Sequence, residues 1–87
     1  MTWTVEFREA YDEWDTGTDV DDDAEIRLAT LDLLLSWKSS GPPPEAEYDE
    51  LRETWSCDVP GAPVLVEFVA MRYLDPPVVI VRELRGP

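Results

Sequence analysis

The sequence contains no histidine and a single cysteine, and each scarcity excludes a class of function. Without histidine the chain lacks the side chain that most often serves as a general base and metal ligand near neutral pH. Cys57 alone can form neither an internal disulfide nor a cysteine-based zinc site. We therefore expect no catalytic residue, no metal and no cofactor, and a reducing, cytoplasmic environment.

The sequence also shows no segment that would target or anchor the chain. Its first ten residues include Glu6, Arg8 and Glu9 instead of the basic and then apolar stretch of a signal peptide. The longest apolar runs, residues 33–35 and 78–81, are far shorter than the roughly 20 residues of a membrane-spanning helix. These features predict a soluble protein.

Positive charge is scarce, with 7 Lys and Arg against 20 Asp and Glu and a net charge of −13. Phosphate groups are bound by clustered Lys and Arg, so direct binding to nucleic acid or to anionic lipid is disfavoured. Of the 87 residues, 44% are hydrophobic, which is too apolar for a disordered chain. The length suits a single domain over residues 1–87 with one modest core.

Periodicity in the sequence predicts four strands. They are expected at residues 2–7, 54–59, 64–74 and 78–84. The last two are apolar at nearly every position, so both should be central and covered on both faces or at an interface. Residues 45–52 are ambiguous and compatible with a helical turn that leads into the second strand.

Two helices are predicted between the first and second strands. The spacing of Phe7, Tyr11 and Trp14 places three aromatic rings on one stripe of a short helix over residues 8–15. A second helix begins at an acidic run and ends before Gly41 and three prolines. Its two apolar stripes contain Ala24, Leu28, Leu31 and Leu35, and Ile26, Leu33 and Trp37. The expected core contains Trp3, Phe7, Tyr11, Trp14, Leu28, Leu31, Leu35, Val66 and Phe68.

The resulting order, β-α-α-β-β-β, predicts an α+β domain with a helical hairpin on one face of a mainly antiparallel sheet. Several short segments carry a resemblance to a known protein family. They are residues 1–7 with Tyr11, 13–14, 33–35, 41–42, 48–51 with Trp55, and 75–81. On these features the chain resembles the RelE/ParE superfamily of type II toxins, and its opening is similar to the HigB-like members. The resemblance covers nearly the whole chain and implies the RelE/ParE-like fold.

The resemblance also implies an activity, because members that cleave mRNA on the ribosome use dispersed Arg, Lys, His and Tyr residues. This sequence departs from that pattern. Leu65 stands where the family's third strand usually has an Arg, and the usual C-terminal tail is missing after residue 87. The net charge would oppose approach to ribosomal RNA. We therefore expect the toxin fold without ribonuclease activity.

One basic cluster stands out near the C-terminus. It contains Arg72, Tyr73, Arg82 and Arg85. If strands three and four pair through the turn at residues 75–77, Arg72 and Arg82 should lie near each other. The cluster is either a remnant active site or anion-binding patch, or it pairs with Glu67, Glu83 or the acidic helix ends.

The acidic run offers a second candidate surface. It contains Asp19, Asp21, Asp22, Asp23 and Glu25. No register places a Gly at the sixth and a Glu at the twelfth position of a calcium loop, so the run is interpreted as a helix cap and solvated surface. We expect this surface to attract a partner with a basic surface.

Three single features allow alternatives. Glu67, in an apolar strand, is either a buried carboxyl of raised pKa, or it lies at a strand edge or pairs with an Arg across the sheet. The four tryptophans form either a base-stacking platform or, as the acidic surroundings favour, core and interface. Cys57 alternates with Trp55 and Val59 and is interpreted as a small buried apolar residue.

The leading hypothesis is a RelE/ParE-like protein that acts by binding a basic protein, such as an antitoxin or a nucleic-acid-binding protein. The first alternative is an acidic nucleic-acid mimic encoded by a phage or mobile element. The second is an active mRNA-cleaving toxin. A homodimer is a further possibility, because one helical hairpin covers only one face of the two apolar strands.

Overall fold

The computed structural model describes residues 2–86, which form two helices and five strands. The elements are β1 (Thr4–Glu6), α1 (Arg8–Glu13), α2 (Val20–Ser40), β2 (Glu47–Asp49), β3 (Thr54–Asp58), β4 (Leu65–Met71) and β5 (Val78–Arg85). None of the helices within residues 2–86 is long and apolar enough to cross a membrane.

The strands form one mixed sheet in the order β1-β5-β4-β3-β2. β1 runs parallel to β5, and the other neighbours are antiparallel. The predicted α+β class with a mainly antiparallel sheet is confirmed. The strand count was wrong, because residues 47–49 form β2 where the sequence was compatible with a helical turn. This three-residue strand is too short for periodicity to show, and the pairing of Tyr48 with Trp55 holds it in place.

The hydrophobic core lies between the helices and one face of the sheet. Val66 and Phe68 on β4 and Val79 and Val81 on β5 point toward the helices and are buried. The Trp37 ring of α2 contacts Phe68 edge to face, with centroids 4.9 Å apart. This contact brings the C-terminal half of α2 against the centre of the sheet.

The orientation of α2 differs from the sequence-based expectation. Its buried residues are Ile26, Thr30, Leu34 and Trp37. Leu28 and Leu35, expected in the core, are 61% and 42% exposed, and Leu31 is half-buried. Trp37 removes more apolar surface from water than any leucine could, so it turns its own side of the helix inward. Thr30 tolerates burial because its hydroxyl donates to the Ile26 carbonyl at 2.8 Å.

The other core predictions are largely confirmed. Trp3, Trp14, Val66 and Phe68 are buried, as expected. Phe7 and Tyr11 are half-buried and pack against the same cluster. Their rings meet edge to face at 6.1 Å, and Tyr11 meets Trp14 at 6.2 Å. The aromatic stripe therefore attaches α1 to the core.

The opposite face of the sheet, called here the outer face, is not covered by either helix. Leu65, Val69 and Met71 on β4 and Val78 and Ile80 on β5 are half-buried there by their neighbours in the sheet. A bulge shifts the register, so that Glu67 pairs with Glu83 but Phe68 pairs with Val81. Covering of this face by a partner or by a second copy stays a prediction.

Candidate protein-binding surface

The acidic run forms the N-terminal turn of α2. The Asp19 carboxylate accepts a hydrogen bond from the backbone N–H of Asp22 at 2.9 Å, which caps the helix. Asp21, Asp22 and Asp23 follow in the first turn, where the helix dipole favours negative charge. The interpretation of the run as a helix cap is confirmed.

One member of the run, Asp23, binds side chains of the same protein. Its Oδ1 accepts a hydrogen bond from the Thr16 hydroxyl at 2.5 Å, and both oxygens lie 3.1 Å from Arg27 Nε. The Thr16 hydrogen bond lowers the pKa of Asp23 most, Arg27 lowers it further, and burial opposes both. The carboxylates of Asp21, Asp22 and Glu25 remain on the exposed surface.

Arg27, which the sequence did not single out, joins α2 to the end of α1. Its guanidinium donates hydrogen bonds to the Tyr11 carbonyl at 3.2 Å and to the Trp14 carbonyl. The same group lies over the Tyr11 and Trp14 rings, with Cζ 5.2 and 5.1 Å from their centroids. The last carbonyls of a helix lack partners within that helix, and α1 has no basic residue in its last turn. The four-residue spacing of Asp23 and Arg27 was the only available signal for this contact.

The basic cluster is dispersed in the fold. The Arg72 guanidinium lies 5.2 Å from the centroid of the Trp3 ring, and Tyr73 is 83% exposed in the turn after β4. Arg82 lies at the bulge and lines a cavity with α1. Arg82 on β5 lies opposite the register shift between Glu67 and Phe68 of β4, and Arg72 follows Phe68 by four residues. The backbones of the two arginines are therefore about 13 Å apart along the sheet. The expected proximity of these two arginines is not found.

The fourth member of the cluster, Arg85, belongs to an ion-pair network on the outer face. Glu67 Oε1 lies 2.8 Å from Arg52 Nη1 and 3.5 Å from Arg85 Nε. Glu83 Oε2 lies 3.5 Å from Arg52 Nη2 and 3.3 Å from Arg85 Nη2. The hydrogen bond from Arg85 is the main cause of a lowered pKa of Glu83. Pairing of Glu67 with an Arg across the sheet is confirmed.

This network limits what the outer face can do chemically. Two guanidinium groups neutralise two carboxylates, and the Glu67 side chain is only 7% exposed. Arg52 comes from the turn between β2 and β3, where no sequence pattern pointed to it. The arginines of the outer face therefore stabilise a buried carboxylate, which is a structural task.

The single thiol is unsuited to nucleophilic chemistry. Burial raises the pKa of Cys57 to about 11, with smaller contributions from the negative charges of Asp58 and Glu45. At neutral pH the thiol is therefore protonated and is a weak nucleophile. Within residues 2–86, no three Cys, Asp or Glu side chains lie close enough together to hold a metal ion.

An open cleft of about 490 Å³ lies beside β1 and the start of α1. Two cations, Arg8 and Lys38, and two carboxylates, Glu6 and Glu9, line it together with apolar residues of β1 and β5. The opposite charges balance, so the cleft offers no concentrated positive charge for an anionic substrate.

No family model, curated protein or solved structure matches this chain. The resemblance to the RelE/ParE toxins therefore stays a prediction from the sequence.

Proposed function

We propose that this chain is a non-catalytic, RelE/ParE-like protein that acts by binding a protein with a basic surface. The main support for the proposal is that positive and negative side chains differ in their surroundings. The arginines Arg27, Arg52, Arg72 and Arg85 are engaged with groups of the same chain, whereas most carboxylates of the acidic run face solvent.

The engagement of the arginines argues against phosphoryl chemistry. A messenger-cleaving enzyme stabilises charge on a phosphate with donors aimed at the reacting group. Here Arg52 and Arg85 are bound to Glu67 and Glu83, and Arg72 stacks on Trp3. Arg82 lies about 13 Å from Arg72 along the sheet and lines a cavity with α1.

The exposed acids support binding to a basic partner. Asp21, Asp22 and Glu25 project from the first turns of α2, and the whole chain carries −13 charges. Such a field accelerates association with a positively charged protein and sets its salt dependence. An antitoxin or a nucleic-acid-binding protein in the cytoplasm would offer such a surface.

A second candidate function, nucleic-acid mimicry, is favoured by the spacing of three exposed acids on α2. Asp21, Glu25 and Asp32 lie along one side of the helix. Their axial separations of about 6 and 10 Å correspond to roughly two and three phosphate intervals along one strand of B-DNA, at about 3.4 Å of helix axis each. In this case the partner would be a DNA- or RNA-binding protein, and binding would displace its nucleic acid.

The proposal is tested by reversing the exposed charges. In a pull-down from the native host, the variant Asp21→Lys/Asp22→Lys/Glu25→Lys should capture less of the partner, and its binding should depend less on salt. The matched control Glu45→Lys/Glu47→Lys/Glu50→Lys makes the same charge change at exposed positions near β2. It should retain most of the binding.

Two results would decide between the alternatives. Release of the captured partner's DNA or RNA on binding would establish the mimic. Growth arrest on expression, with ribosome-dependent mRNA cleavage that Arg72→Ala or Arg82→Ala abolishes, would contradict the binding proposal and identify an active toxin.

A further inference from the structure

α2 carries a second apolar stripe that the sheet does not use. This outer seam consists of Ala24, Leu28, Leu31 and Leu35. Leu28 is 61% exposed and Leu35 is 42% exposed, whereas Leu34 on the inner side is fully buried. A helix of a folded domain normally presents polar residues on the side away from its core. The outer seam is therefore an unpartnered surface.

The spacing of the outer seam fits another helix. Its residues follow one another by four, three and four positions, which is the spacing of the two core positions of a coiled-coil heptad. The seam is narrow and extends over about 16 Å along the helix. Asp21 and Lys38 occupy the preceding and following heptad positions and end the apolar part. A stripe of this shape is complementary to the side chains of one further helix.

The charges beside the seam specify the kind of helix. Glu25 and Asp32 each follow a seam residue directly and are exposed. On the other side Arg27 is held by Asp23 and by the carbonyls of α1, so it is not available to a partner. Flanking positions set partner choice through opposite charges, which here requires Lys or Arg on the incoming helix.

A second copy of this chain does not satisfy that requirement. Antiparallel pairing of two seams would place Glu25 and Asp32 of one copy against the same carboxylates of the other. Each copy also carries a net charge of −13, so long-range repulsion opposes association. The occupant is therefore a different chain.

We propose that the outer seam of α2 docks an amphipathic helix of the partner protein, with apolar residues at heptad spacing and Lys or Arg beside them. This inference rests on the proposed function and adds the binding site and the secondary structure that the partner presents. Leu28 and Leu35 are its central contacts, and Glu25 and Asp32 form its charged rim.

The test uses two synthetic peptides of equal composition, each about three heptads long. The first has Leu at both seam positions and Lys at the flanking positions, and the second distributes the same residues evenly around the helix. Both are titrated into the full chain in about 0.15 M NaCl by isothermal calorimetry and by amide chemical-shift mapping. We expect the first peptide to bind roughly tenfold more tightly than the second and to shift amides of α2.

Neutral variants isolate the apolar contacts from charge. Leu28→Gln/Leu35→Gln keeps the net charge and the helix propensity and should weaken binding of the first peptide about tenfold or more. The control Leu51→Gln changes a leucine that is 98% exposed in the β2–β3 turn and should bind like the parent. Circular dichroism of all three proteins establishes that the fold is retained.

The outcomes separate this inference from the proposed function. Equal affinity for the two peptides, or no effect of Leu28→Gln/Leu35→Gln, overturns the helix site but leaves attraction to a basic surface intact. Failure of both peptides to bind also overturns it. The proposed function fails separately, if the charge-reversed α2 variant captures the host partner as well as the parent does. A dimer in sedimentation equilibrium that Leu28→Gln/Leu35→Gln dissociates would assign the seam to a second copy.

Discussion

At the residue scale, Gly41 joins the end of α2 to the N-terminal strand. It has a φ of +74°, and a Cβ built at this position would lie 2.6 Å from Cε2 of Trp3. Beside this contact, the backbone N–H of Trp3 donates a hydrogen bond to the backbone carbonyl of Lys38 at 2.7 Å. Gly41 thus meets two demands, a left-handed backbone and close approach of an indole ring.

Gly41→Ala should therefore destabilise the fold more than a glycine replacement that strains only the backbone. Gly61 provides the control, because its φ is +80° and nothing lies within 4 Å of the added Cβ. We expect Gly61→Ala to cost about 1 kcal/mol and Gly41→Ala at least about twice that. Urea unfolding followed by tryptophan fluorescence measures both, and equal losses would contradict the packing of Trp3 on Gly41.

The lowered pKa of Asp23 predicts how the free energy of unfolding changes at acidic pH. Thr16 and Arg27 lower its pKa below 3.8 in the folded chain. A carboxyl of lowered folded pKa stabilises the fold above its unfolded pKa and loses that contribution as the pH falls through the folded value. Asp23→Asn should accordingly lose less stability than the parent between about pH 5 and pH 2.

Thermal melts across this range check the pH prediction. Asp22→Asn is the control and should follow the parent curve, because within residues 2–86 only the backbone N–H of Asp22, and not its carboxylate, takes part in a side-chain hydrogen bond. An Asp23→Asn curve parallel to that of the parent would mean that Thr16 and Arg27 do not hold the carboxylate in solution.

Contacts between residues that lie far apart in the sequence were the hardest to predict. Pairing with an Arg was one of the alternatives expected for Glu67, because a buried carboxylate amid apolar strand residues needs a partner. Arg52 was not identified, since it lies 15 residues away in a turn without periodicity. Arg27 was missed for the same reason, as its carbonyl acceptors lie 13 and 16 residues away.

At the element scale, the orientation of α2 is the main difference between expectation and structure. Its sequence has apolar residues on two neighbouring stripes, and helical periodicity alone ranks them equally. The choice depends on contacts with distant strands, above all Trp37 with Phe68 on β4. The strands were easier to predict, because β3, β4 and β5 have strong alternation or long apolar runs. The parallel pairing of β1 with β5 leaves no periodic signal.

A pair of truncations tests the observed orientation. Leu34→Ala removes a fully buried side chain and should cost about 2–5 kcal/mol of unfolding free energy. Leu28→Ala shortens a side chain that is 61% exposed and should change stability by less than about 0.5 kcal/mol. Chemical denaturation distinguishes the two, and the reverse ranking would place the outer seam in the core.

At the scale of the whole molecule, the net charge of −13 opposes compaction. Repulsion among exposed carboxylates raises the free energy of the folded state, and salt screens it over about 10 Å at 0.1 M. We expect the melting temperature to rise between about 0.01 and 0.2 M NaCl. Glu45→Gln/Glu47→Gln/Glu50→Gln removes three exposed charges and should reduce this rise, whereas a melting temperature that falls with salt would indicate that ion pairs dominate.

The position of β5 between β1 and β4 has a consequence for synthesis of the chain on the ribosome. Thr4 pairs with Val78, so the N-terminal strand must wait for a segment made more than 70 residues later. Until residue 85 has left the exit tunnel, β1 has no neighbour and one side of β4 is an open edge. Completion of the sheet should therefore wait for β5 and be governed by closure of one long loop. During that interval, the apolar side chains of β4 are the part of the nascent chain most in need of protection by chaperones.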